Sequence, residues 1–275
     1  YKDIDDLFEQ VEFFVDSVSD YKSDFVLFPE YFNAPLMSKF NDMGEAQSIR
    51  GLAQYTEKIR DRFVELAISY NINIITGSMP YVKEDGGLYN VGFLCRRDGS
   101  VDMYEKIHVT PDEQKSWGLS KGNRVQTFDT DCGRIGVLIC YDVEFPELSR
   151  LMAEDGMQIL FVPFNTDTQN AYARVKVCAQ ARAVENECYV AIAGSVGNLP
   201  RVHNMDIQYA QSAVFTPCDF AFPTDGKRAM ATPGTEQILV ADCDLTLLNE
   251  LHTYGSVRNL RDRRNDLYEL RMKKG

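Results

Sequence analysis

Apolar residues recur along this chain in two rhythms. Ile4, Leu7, Phe8, Val11, Phe14, Val15 and Val18 are spaced three and four apart, which predicts an amphipathic helix. Leu52, Tyr55, Ile59, Phe63, Leu66 and Tyr70 repeat the pattern and predict a second, and a third is expected over 171–187. Between them lie short apolar runs at 73–77, 88–95, 158–162, 189–193 and 212–215, with a late one at 236–241, all expected as strands. Arg97-Asp98-Gly99-Ser100 is a hairpin signal after the 88–95 run. The run 134–140 reads as a buried parallel strand, and Pro146 suits the first position of a helix behind it. Helices and strands thus alternate, and no Gly-, Pro- or Ser-rich seam separates them. The expectation is an α/β fold with one domain over residues 1–275.

Three chemistry-bearing side chains fall at strand ends. Cys140 closes Ile135-Gly136-Val137-Leu138-Ile139 and precedes Tyr141-Asp142-Val143-Glu144-Phe145-Pro146. The carboxyl ends of parallel strands are where open α/β proteins present ligand-facing groups, although a free cysteine is also often a small buried apolar residue. Glu30 closes Phe25-Val26-Leu27-Phe28-Pro29, where Pro29 cannot donate to a ladder and must stop or bulge the strand. Lys106 lies in Tyr104-Glu105-Lys106-Ile107-His108. Each alone has a bland alternative, a solvated acid or an exposed lysine. Together they supply a carboxylate base, a fixed cation and a thiol.

These stretches resemble, in order along the chain, the glutamate, lysine and cysteine motifs of the nitrilase superfamily, the carbon–nitrogen hydrolases. Phe28-Pro29-Glu30, Tyr104-Glu105-Lys106-Ile107-His108 and Cys140-Tyr141-Asp142-Val143-Glu144-Phe145-Pro146-Glu147 carry the likeness, and Ala181-Arg182-Ala183-Val184-Glu185-Asn186 resembles the helix after the nucleophile. The resemblance implies a four-layer α-β-β-α sandwich. It implies that Glu30 takes the thiol proton and later activates water, that Cys140 forms a thioester, and that Lys106 holds the oxyanion with help from the Tyr141 backbone N–H. Glu113 is expected as a second acid, with Asp112 as its rival. Tyr141, Glu144 and Asn165 are expected to line the pocket, and Asp142 to cap the helix that follows it. His108 as the base of a Cys–His pair is the weaker alternative. Trp-Glu usually follows the nucleophile in true nitrilases, so Tyr141-Asp142 favours amides over nitriles. Many relatives carry Arg where this chain has Glu144.

The resemblance implies a hydrolase acting on a small linear amide or carbamoyl compound, with release of ammonia or an amine. Acyl transfer from the same thioester, nitrile hydrolysis and a non-catalytic interaction protein are the alternatives. Segments 161–168, 196–200 and 205–212 resemble a bacterial-type branch that is sometimes fused to an N-terminal acetyltransferase domain. Family members begin with a short strand, whereas this chain opens into a helix, so a fragment or processed form that lacks the usual first strand is expected. A homodimer or higher homo-oligomer is expected through 146–155 and 171–187, presenting Leu148, Leu151, Met152, Tyr172, Val175, Val177 and Cys178, with 251–270 laid across the partner.

Composition narrows the rest. A net charge of −12 argues against nucleic acid as the main partner. The chain lacks an apolar run of about 18 residues, so no membrane span is expected. The seven cysteines are scattered without Cys-x-x-Cys spacing, which suits free thiols in a reducing, cytoplasmic setting. His108, His203 and His252 lack metal-ligand spacing, and no metal or cofactor is expected.

Overall fold

Asp3 opens the first element by accepting from the amides of Asp5 and Asp6. The computed structural model describes residues 3–200, 202 and 205–273; His203, considered above as a metal ligand, lies outside them. Helix α1 (Ile4–Ser19) leads to β1 (Phe25–Leu27), α2 (Glu45–Ala53), α3 (Thr56–Ser69), β2 (Asn73–Ile75), β3 (Met79–Val82), β4 (Leu88–Cys95) and β5 (Val101–Glu105). Then come β6 (Thr127–Thr130), β7 (Gly133–Val137), α4 (Pro146–Glu154), β8 (Ile159–Phe164), α5 (Gln169–Glu185) and β9 (Tyr189–Gly194). The small pair β10 (Gly197–Asn198) and β11 (Ile207–Gln208), β12 (Ala213–Phe215), β13 (Lys227–Met230) and α6 (Leu245–Tyr254) complete the order.

Two larger sheets carry the fold. In the first, β1 pairs parallel with β2, β2 and β3 share one edge of β4, and β5 takes the other edge. The second runs β13-β12-β9-β8-β7-β6, with β7, β8 and β9 parallel. Strand alternation sorts the core into two clusters. Ile74, Phe93 and Cys95 of the first sheet pack with Leu7, Val11, Ile59 and Phe63 of α1 and α3. Their neighbours Ile75, Leu94 and Tyr104 point the other way and join Val137 and Phe161 of the second sheet, whose cluster also takes in Met152 of α4 and Ala179 of α5. The layers are therefore helix, sheet, sheet, helix, as the resemblance implies.

Several expectations are corrected. The helix over 52–70 is two helices broken at Gln54 and Tyr55; the bend lets Ile49 and Leu52 of α2 and Ile59 and Phe63 of α3 be buried together. The strand over 158–162 runs on to Phe164, through Pro163, whose residue pairs with Ala193. Residues 236–241 form no strand: among the described residues, 236–243 make no backbone–backbone hydrogen bond. A short apolar run cannot become a strand without a neighbour to pair with. Leu148, Met152, Tyr172 and Val175, expected on a dimer face, are buried against their own sheet, and of that set only Val177 is fully outward.

The glycine at 77 sets how closely β1 approaches its neighbour. Gly77 has φ of +70°, and a Cβ there would lie 2.0 Å from the Pro29 carbonyl oxygen. Gly77→Ala is expected to cost more than about 3 kcal/mol, because side chain and backbone strain coincide there. Urea unfolding of both forms measures it.

Candidate active site

Cys140 lies just past β7, after Leu138 and Ile139, and begins a single 3₁₀ turn, Cys140–Glu144. Its φ is +49°, a left-handed conformation that a non-glycine residue adopts only under constraint. The strand must turn sharply at this residue before α4 starts at Pro146, and the thiol comes out at the end of β7. Tyr141 sits in the first turn, where backbone N–H groups lack an intrahelical acceptor. Its amide is thus placed to donate to a ligand on Cys140.

Glu30 reaches the same point from the other sheet. Past β1, Pro29 ends the ladder, a single bridge to Ser78 continues the direction, and the Ser195 hydroxyl donates to the Glu30 carbonyl at 3.0 Å. The carboxylate is 1% exposed. Its Oε1 accepts from Lys106 Nζ at 2.8 Å and from Asn90 Nδ2 at 2.8 Å, and its Oε2 accepts from the Asn165 amide at 2.9 Å.

Lys106 follows β5, and its amide donates to the Asn90 carbonyl at 2.9 Å. Its ammonium lies between two acids, Glu30 and Glu113, the latter at 2.7 Å. Glu113 opens a π-type turn, Glu113–Trp117, and is locked by a reciprocal pair: Thr110 N donates to its Oε2 at 2.9 Å, and its own amide donates to Thr110 Oγ1 at 3.2 Å. The Tyr31 hydroxyl also donates to Glu113 Oε1 at 3.1 Å, and its ring stands edge-on to Trp117.

Electrostatics follow from burial and neighbours. Burial pushes the Glu30 carboxyl up, more than Lys106 pulls it down. Burial works against the charge on Lys106, but Glu113 and Glu30 together hold its pKa well above the usual lysine value. Burial, and then the negative charge of Glu30, drive the Cys140 thiol well above its ordinary range. The Cys140 Sγ lies 3.7 Å from the Asn165 carbonyl oxygen. A thiol of this kind reacts only when its proton has somewhere to go, and the Glu30 carboxyl group lies beside it.

The structure brings together Glu30, Lys106, Cys140 and Glu113, and selects Glu113 over Asp112. Asn165 joins them through its backbone, while its side-chain amide donates toward Met205 Sδ at 3.8 Å. The Tyr141 ring is taken up by edge contacts with Phe145 and His108. Glu144 is not a free acid: Arg174 on α5 pairs with it at 3.4 Å. Asp142 does not cap α4. It is fully buried and accepts from the amides of Ile107 and His108 at 3.0 and 2.7 Å, and its Oδ1 lies 2.9 Å from His108 Nδ1. It thereby ties the backbone after Lys106 to the turn that bears Cys140. His108 stacks flat on Phe145 with ring centroids 3.6 Å apart, so it serves this clasp and not the thiol. Asn90, Tyr31 and Ser195 were not foreseen; a polar residue in the apolar run of β4 was the one available signal for Asn90. Among the described residues, no group of three or more His, Cys, Asp or Glu side chains is placed to hold a metal ion.

Comparison with known proteins agrees with this fold. The chain is 48% identical over 265 residues to a probable hydrolase, YhcX, of Bacillus subtilis (strain 168), matching 96% of this chain and 52% of that protein. It thus spans about half the length of that relative. It is 32% identical over 263 residues to the omega-amidase NIT2 of Homo sapiens, covering 90% of this chain and 86% of that one. The fold is shared with the carbon-nitrogen hydrolase of Helicobacter pylori G27 (TM-score 0.81, 21% identity, 98% and 93% of the two chains). It is also shared with Saccharomyces cerevisiae Nit3, a member of branch 10 of the nitrilase superfamily (TM-score 0.74, 24% identity, 94% and 89%). The family profile described as carbon-nitrogen hydrolase matches residues 1–253, and the chain belongs to that family.

Proposed function

We propose that this chain hydrolyses a small linear amide or carbamoyl compound through a thioester on Cys140, releasing ammonia or an amine. The observation that carries the reading is the buried Glu30–Lys106–Glu113 array set against the strand-end thiol. Glu30 removes the thiol proton as sulfur attacks the carbonyl carbon. The oxyanion that forms is stabilised by Lys106 and the Tyr141 N–H; one such donor contributes roughly 3–4 kcal/mol. Glu30, now protonated, gives its proton to the departing nitrogen as the C–N bond breaks. Water then enters, Glu30 takes one of its protons, and the thioester opens to the carboxylic acid and the free thiol. Glu113 keeps Lys106 charged and in place throughout. The omega-amidase relatives support an amide as the substrate class, and the Tyr141-Asp142 pair supports it over a nitrile.

Ammonia release over a panel of short linear amides, ureido compounds and nitriles tests this directly. Amides are expected to be turned over, and Cys140→Ala to lower the rate at least ~1,000-fold with the fold retained. Near-wild-type turnover by Cys140→Ala, or turnover of nitriles alone, contradicts the reading. Added hydroxylamine separates hydrolysis from acyl transfer, because a hydroxamate forms at the expense of the acid when amines capture the thioester efficiently.

Lys106→Ala is expected to lower kcat by ~100–1,000-fold with little change in KM, since the ammonium acts most strongly on the transition state. A rise in KM at constant kcat would assign Lys106 to substrate binding only. Glu30→Gln is expected to slow iodoacetamide labelling of Cys140 more than ~10-fold. In the wild type, labelling should fall with acidity at a pH above the ordinary glutamate range, because burial raises the Glu30 pKa and only the ionised form accepts the proton.

We also propose that two copies pair through the face formed by α5 and the segment after α6. Val177 of α5, Tyr254 at the end of α6, and Leu267 and Tyr268 after it are exposed apolar or aromatic residues. The segment is already fixed on its own subunit by polar contacts: Asn259 N donates to Glu187 Oε1 at 2.6 Å, and Arg263 pairs with Glu154. An obligate pair of this type buries more than ~2,000 Å² in total. Light scattering at micromolar concentration should give twice the single-chain 31.3 kDa, and a monodisperse species at 31.3 kDa would rule the pairing out.

A further inference from the structure

Glu30 and Tyr31 are neighbours in sequence, and both reach the groups around one ammonium. Glu30 Oε1 accepts from Lys106 Nζ at 2.8 Å. The Tyr31 hydroxyl donates at 3.1 Å to Glu113 Oε1, the same oxygen that accepts from Lys106 at 2.7 Å. Glu30, Lys106, Glu113 and Tyr31 thus form a ring, closed by the peptide bond between the first and the last.

Consecutive side chains of an extended strand point to opposite faces and could not converge in this way. At Tyr31 the backbone is left-handed instead, with φ of +52°, which is uncommon for a bulky residue. Two hydrogen bonds hold it there: Tyr31 N donates to Ser78 O at 2.7 Å, and Ala34 N donates to Tyr31 O at 2.8 Å. A strained residue fixed directly beside the base points to a role for its side chain.

The hydroxyl acts as a donor and does not exchange its proton. Tyr31 is 3% exposed. Burial first, and then the negative charges of Glu113 and Glu30, raise its pKa well above the ordinary tyrosine value. Its acceptor is held by three groups. Thr110 N donates to Glu113 Oε2 at 2.9 Å, but Thr110 belongs to the same loop and fixes the carboxylate only relative to that loop. Lys106 is itself the group that has to be placed. Among the described residues, the Tyr31 hydroxyl is therefore the hydrogen bond that ties the Glu113 carboxylate to the backbone carrying Glu30. The Tyr31 ring grips the other end of the same turn, edge-on to Trp117 at a centroid distance of 5.4 Å.

An ammonium has three N–H donors. Two of those on Lys106 go to Glu30 and Glu113, which leaves one for an oxyanion. We propose, on the hydrolytic reading given above, that Tyr31 is a positioning residue: through Glu113 it fixes where the Lys106 ammonium stands, and so where the oxyanion is stabilised.

Steady-state kinetics and thiol labelling of Tyr31→Phe test this. The substitution keeps the ring against Trp117 and removes only the hydroxyl. It is expected to lower kcat on an amide ~10–100-fold with KM within ~2-fold of wild type, since small displacements of a group that acts in the transition state cost on that order. Iodoacetamide labelling of Cys140 should stay within ~2-fold of wild type, because neither the thiol nor Glu30 loses a partner. Tyr31→Asn, which suits a left-handed backbone but is too short to reach Glu113, should show the same split and serves if the phenylalanine variant folds poorly. A kcat within ~2-fold of wild type, or a loss carried by KM alone, would overturn the role. Labelling that falls as far as kcat would place the effect of Tyr31 on Glu30 instead of Lys106, and overturn it as well. Failure of the hydrolytic reading looks different: the wild type itself then turns over no amide, and the assignment of Tyr31 falls with it.

Discussion

The Lys106 ammonium, 1% exposed and held between Glu30 and Glu113, is the interaction on which the site depends. A lone charge at this depth would lose its hydration without return, and a pair would leave lone pairs unmet. Here the surroundings answer each group. Glu30 receives Lys106, Asn90 and the Asn165 amide; Glu113 receives Lys106, Tyr31 and the Thr110 amide. Burial first, and then the negative charge of Glu30, raise the Cys140 thiol well above its ordinary range. In the proposed mechanism, reactivity then waits for a carbonyl group that can accept electron density from sulfur while Glu30 accepts the proton.

That arrangement requires both sheets. Glu30 and Lys106 belong to the first, and Cys140 and Asn165 to the second. Few contacts join the two halves at the site, and they are specific. The Asn165 amide bonds Glu30, the Ser195 hydroxyl bonds the Glu30 carbonyl, and Asp142 beside the nucleophile holds the backbone after Lys106. A shift of one sheet against the other by an ångström would separate sulfur, base and cation together, and displacements of that size cost catalysis about 100-fold. The buried polar links explain why Cys140 can sit in a sharply turned, left-handed conformation and still be held in one place.

Sequence revealed the parts whose information is local. Apolar spacing identified α1, β4 and the strand before Cys140, and the strand-end positions of Glu30, Lys106 and Cys140 marked the chemistry. Partners that depend on tertiary contact were hidden. Asp142 was expected to cap α4, because an acid just before a proline-led helix ordinarily does so; its acceptors are instead used by the loop after Lys106. Residues 236–241 have a strand's pattern, but a pattern cannot supply the neighbour that a strand needs. Glu144 was expected to line the pocket, and its partner Arg174, thirty positions away, is a neighbour in space alone.

The central claim is that a carbonyl carbon becomes bonded to Cys140 sulfur in a site already built for it. The most direct measurement is acid quenching during turnover of an amide, followed by intact-mass and peptide mass spectrometry. The account predicts a mass increase equal to the acyl group, on the peptide containing Cys140, labile to hydroxylamine and absent from Cys140→Ala. Turnover with no acyl adduct under any quench time, or an adduct on a different residue, would contradict it.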